Sequence, residues 1–76
     1  MSPSAMKKAR YFANARSGVR EECGGPETSF APRFFPTLGA KFVRPSGMPK
    51  DGYLRRSHAL AGARAYKAAC RAALKS

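Results

Sequence analysis

The sequence predicts a mostly α-helical chain with extended irregular segments and little autonomous core. It would hold a short N-terminal helix, a Pro/Phe-rich extended ribbon and one long basic C-terminal helix. Three observations carry that prediction. No proline follows Pro49, and alanine, leucine, lysine and arginine dominate from Tyr53 onward; these are strong helix formers. Pro32, Pro36, Pro45 and Pro49 punctuate the middle of the chain, removing backbone donors and pushing their neighbours towards extended conformations. The large apolar residues cluster in that same stretch, while fourteen of the residues counted as hydrophobic are alanine. Burying one large side chain is worth roughly 1.5–3 kcal/mol, against about 1.5 kcal/mol to order each residue. A 76-residue chain with this distribution is expected to use a partner's surface as its core.

Three segments follow from the composition. Residues 1–22 form a basic, targeting-like N-terminal segment. "MSPSAMKKARYFANARSGVR" carries Lys7, Lys8, Arg10, Arg16 and Arg20 and no acid. Mitochondrial transit peptides share that composition, so the expected location is mitochondrial, with cytoplasmic or ciliary locations as alternatives. Ser4 is a candidate cap for a helix over roughly Ala5 to Arg16, and Ser17-Gly18 offers its stop.

Residues 23–50 form the anchor segment. "CGGPETS", 23–29, breaks any regular element. The following stretch, Thr28 to Pro49, holds four phenylalanines. Its prolines exclude a helix over most of its length and make a central strand unexpected. Only Leu38 to Val43 has the composition of a short edge strand. The ribbon's apolar anchors are Phe30, Phe34, Phe35, Leu38 and Phe42, interleaved with Arg33, Lys41 and Arg44. Disordered linkers are poor in aromatics, so this density points to a segment that binds.

Residues 51–76 form the basic Ala-rich helix, with Asp51 or Ser57 as cap and Gly62 as its weak point. At about 100° per residue, Arg56, Arg64, Lys67, Arg71 and Lys75 share one side. Beside them runs an apolar seam of Ala59, Ala63, Tyr66, Cys70 and Leu74. The segment "RAYKAACRAAL", Arg64 to Leu74, resembles the first helix of LYR-type mitochondrial proteins. Ala65 stands where that family has its defining leucine, and no function is carried over.

Charge is the strongest functional signal. Fifteen Lys and Arg face Glu21, Glu22, Glu27 and Asp51, for a net charge of +11. Such a field attracts polyanions and opposes compaction. The plain alternative is a solvated basic surface. Catalysis needs convergent polar groups, and one histidine, His58, with four scattered acids does not supply them. Cys23 and Cys70 show neither CxxC nor Cys/His spacing, so no metal site and no disulfide framework is expected. No cofactor, no small-molecule substrate and no transmembrane segment is expected either.

Nucleic acid fits the inventory better. Lys and Arg neutralise phosphates without a fixed pocket, and aromatics beside them, as in "RYF" (Arg10–Phe12) and "PRFF" (Pro32–Phe35), can stack on exposed bases. Insertion of the same phenylalanines into protein pockets is an equal reading. The candidate binding residues are Lys7, Lys8, Arg10, Arg16, Arg33, Arg56, Arg64, Lys67, Arg71 and Lys75. The leading expectation is a small structural subunit of a large ribonucleoprotein, a mitochondrial ribosomal protein that contacts rRNA and neighbouring proteins. The alternatives are an accessory subunit of a respiratory complex or ATP synthase, and a microtubule inner protein of cilia.

Overall fold

The middle of the chain is a sheet rather than a ribbon. The computed structural model describes residues 2–22 and 32–75. In order along the chain it contains helix α1 (Pro3–Asn14), strands β1 (Ser17–Glu22), β2 (Arg33–Leu38) and β3 (Lys41–Phe42), and helix α2 (Arg56–Lys75). The strands form one antiparallel sheet in the order β1-β2-β3. The expected fold class, with an extended ribbon and little core of its own, is therefore corrected to two helices packed on a three-stranded sheet. The breaker at 23–29, with Cys23, and the anchor Phe30 lie outside the described residues.

Pro36 explains how a proline sits in the central strand. Ladder-facing groups alternate along an antiparallel strand. Phe34 exchanges both backbone bonds with Tyr53, at 2.9 and 2.8 Å, and the Pro36 carbonyl accepts from the Val43 N–H at 3.2 Å. The even-numbered residues of β2 thus face the β3 side, and the odd-numbered ones face β1. The absent N–H of Pro36 points away from β1, so the six-residue β1–β2 pairing, Ser17↔Leu38 through Glu22↔Arg33, stays intact. Its loss falls on the other edge. Pro36 cannot return a bond to Val43, and β3 ends at Phe42. The lone Phe34↔Tyr53 bridge occupies the remainder of that edge.

The β2–β3 connection is the two-residue turn Gly39-Ala40. Gly39 has φ 65°, and among the described residues no non-glycine residue has positive φ. Glycine at the first central position is the requirement of a type II′ hairpin turn. The Gly39 N–H also donates to the Arg16 carbonyl at 2.9 Å, which ties the hairpin to the α1–β1 junction.

One face of the sheet carries the core. Leu38 is 0% exposed and Pro36 is fully buried beside it. Phe12, Leu38 and Val43 form the buried cluster, with Ala15, Tyr66 and Cys70 packed against it. Phe12 meets Tyr66 edge to face at 5.4 Å between ring centroids. Ala9 and Ala13 of α1 and Ala59 and Ala63 of α2 complete the interior. Alanine buries little area itself but lets backbones approach closely, and so the few large residues suffice. β1 pairs with β2, and residues of both helices pack into one core with the sheet.

Both helices begin away from their expected caps. Ser2, not Ser4, caps α1: its Oγ accepts from the Ala5 N–H at 3.2 Å, with Pro3 following as the first helical residue. That placement suits proline, whose missing N–H would be unpaired there anyway. α2 starts at Arg56 rather than near Tyr53, because Tyr53 is held at the edge of the sheet. Neither Asp51, in a turn, nor Ser57, inside the first turn, stands at the helix boundary. Gly62 is no weak point. It is buried, and a Cβ placed on it would lie 2.7 Å from Tyr53 Oη and 3.1 Å from Pro45 Cγ. The missing side chain is what lets α2 approach that loop.

Candidate nucleic-acid interface

The sequence-predicted cations are mostly free and outward. Lys7, Lys8 and Arg10 on α1 are exposed, as is Arg16 just after it. On α2, Arg56, Arg64, Arg71 and Lys75 are exposed and Lys67 is half-buried; Arg33, at the start of β2, is half-buried too. Among the described residues one ion pair forms, Arg20 Nε to Glu22 Oε1 at 3.7 Å, between two exposed side chains. An exposed pair of this kind neutralises little. Glu21 and Glu22 lie at the end of the β1–β2 ladder away from the Gly39 turn.

The fold brings the two expected basic stretches together. Arg71 Nε donates to the Ala13 carbonyl at 3.1 Å, across 58 residues. α1 has no basic residue in its own last turn, so α2 supplies the cation that its carbonyl end favours. One edge of the Arg71 guanidinium is thus committed inside the protein. Cys70 lies next to it. Burial pushes its thiol above the ordinary value, and the Lys8 ammonium nearby opposes that rise. The end of α1 and the C-terminal half of α2 therefore meet at Ala13 and Arg71.

A groove lies between α1 and β3. Its volume is about 650 Å³, and Lys7, Lys8, Tyr11, Phe12, Lys41 and Phe42 are among its lining residues, with no acid. Two of its aromatics face solvent: Tyr11 is 45% exposed and Phe42 is 50% exposed. Each carries a cation over its ring, Lys41 Nζ 5.4 Å from the Tyr11 centroid and Arg20 Cζ 5.6 Å from that of Phe42. Phe42 also meets Phe35 edge to face at 6.1 Å. A second hollow of about 540 Å³ lies alongside, lined by Arg10, Asn14, Ala15 and Gly39, and shares Lys7 and Tyr11 with the first.

The apolar anchors divide between two roles. Leu38 is buried in the chain's own core, and Phe34 and Phe35 are half-buried on the sheet. Phe42 alone of the described anchors stands well exposed. Lys41 and Arg20 were absent from the sequence-derived set of binding residues. Their signal was non-local: only the turn at Gly39 and the β1–β2 register set these cations against Tyr11 and Phe42. Among the described residues no cluster of His, Cys, Asp and Glu can hold a metal ion, and no helix is long and apolar enough to cross a membrane. No family model, no curated protein and no solved structure matches this chain.

Proposed function

We propose that this chain is a small, non-catalytic structural subunit of a ribonucleoprotein assembly. It binds RNA through its basic surface and contacts neighbouring proteins. The mitochondrial ribosome is the assembly that its basic first twenty residues, which hold no acid, suit. The observation that carries the reading is the arrangement of charge. A net +11 meets one ion pair among the described residues, and Arg71 of α2 reaches the C-terminal end of α1. Phosphates are the counter-charge such a surface takes up most readily, because each contact releases condensed counterions. The chain has its own core, so RNA binding need not supply one.

The test is sedimentation of the host particle before and after RNase, with this chain followed by blotting. The chain is expected to leave the heavy fraction once RNA is digested. Its retention in a heavy, RNase-resistant complex would contradict the reading.

A further inference from the structure

The geometry points to the groove between α1 and β3 as a site for single-stranded RNA, with Tyr11 and Phe42 stacking on unpaired bases and Lys7, Lys8 and Lys41 holding the phosphates. This rests on the RNA-binding reading above and narrows it to one strand and one groove.

Four features select the ligand. The lining combines three lysines with exposed aromatic rings and includes no acid, which is the composition of a single-strand stacking platform. A duplex offers phosphates but keeps its bases stacked on one another, so it would use the lysines and leave the rings idle. The volume of about 650 Å³ falls in the range of about 300–1,000 Å³ typical of small-ligand sites, which suits a flipped-out nucleotide better than a helix of paired bases. Tyr11 and Lys7 also belong to the adjoining hollow. A strand lying over both hollows therefore crosses the Tyr11 ring with Lys7 beside it. Lys41 and Arg20 already sit over the two rings. A base that takes the face so covered displaces the cation from it, and the phosphate joined to that base is drawn to the same cation.

The experiment measures fluorescence anisotropy of the full chain with a labelled single-stranded RNA and with the same sequence annealed to its complement. The parent is expected to prefer the single strand. Tyr11→Leu and Phe42→Leu should each weaken single-strand binding about tenfold and leave duplex binding within twofold. Tyr11→Phe, which keeps the ring, should bind as the parent does. Circular dichroism and thermal melting confirm that each variant is folded, and loss of selectivity in a folded variant is not a consequence of instability. Equal affinity of the parent for single strand and duplex would overturn the inference, as would leucine variants that bind the single strand unchanged. Either result leaves general RNA binding standing. Absence of binding to both RNAs removes the groove and the function together. Vesicles of phosphatidylcholine and phosphatidylserine serve as the competing polyanion. If the leucine variants lose vesicle binding and keep RNA binding, the groove is a lipid site and the inference fails.

Discussion

Arg71 belongs to the basic ridge of α2 by sequence and to the end of α1 by contact. Its bond to the Ala13 carbonyl gives it a structural duty beyond that of Arg64, about two turns earlier and likewise exposed. Arg71→Met keeps the aliphatic stem and removes the donor. It should lower unfolding stability by about 1 kcal/mol, read from the urea midpoint, whereas Arg64→Met should stay within about 0.5 kcal/mol of the parent. The neighbouring Cys70 makes a prediction in pH. Its thiol titrates higher in the fold than in the unfolded chain, first because it is partly desolvated, with Lys8 acting the other way. A raised thiol value means that the contribution to stability is complete below the ordinary thiol range, about 8.5. It is lost as pH rises through that range towards the folded value, because the unfolded chain gives up its proton first. Melting temperature should therefore fall on the alkaline side in the parent and fall less in Cys70→Ser.

At the scale of elements, α2 was legible and the sheet was not. Alanine, leucine and basic residues without proline mark a helix directly, and four of the five seam residues, Ala59, Ala63, Tyr66 and Cys70 but not Leu74, turn to the interior or pack against it. Gly62 was misread because helix propensity is a local quantity, while the value of Gly62 lies in what sits across from it. Propensity alone predicts that Gly62→Ala stabilises by about 1 kcal/mol. The contacts with Tyr53 and Pro45 predict overpacking, which costs about 1–3 kcal/mol. The expected outcome is a lower melting temperature. The sheet escaped the sequence for a related reason. β1, "SGVREE", offers only Val19 as a strong strand former, and Pro36 sits mid-strand in β2. A proline argues against a central strand only when its N–H would face a partner, and which way it faces depends on a register that composition does not reveal. The candidate groove was half legible for the same cause. Lys7, Lys8 and the aromatics around Tyr11 are visible as a basic stretch, but Lys41 and Phe42 reach them only through the Gly39 turn.

For the whole molecule, a compact core and a large positive charge pull in opposite directions. The buried cluster is small, built on Phe12, Leu38 and Val43, and the shape is drawn out, 44 × 21 × 20 Å. Unpaired cations spread over such a body repel one another, and a polyanion that neutralises them should stabilise the fold by mass action. RNA is the polyanion proposed above. The most direct measurement is the affinity for single-stranded RNA across a range of salt concentrations. Three lysines at the groove alone give a slope of about −2 for log K against log salt, and engagement of the α2 ridge makes it steeper. Tight binding at low salt is expected, with a slope of about −2 or steeper. Absence of binding at low salt, or an affinity indifferent to salt, would contradict it.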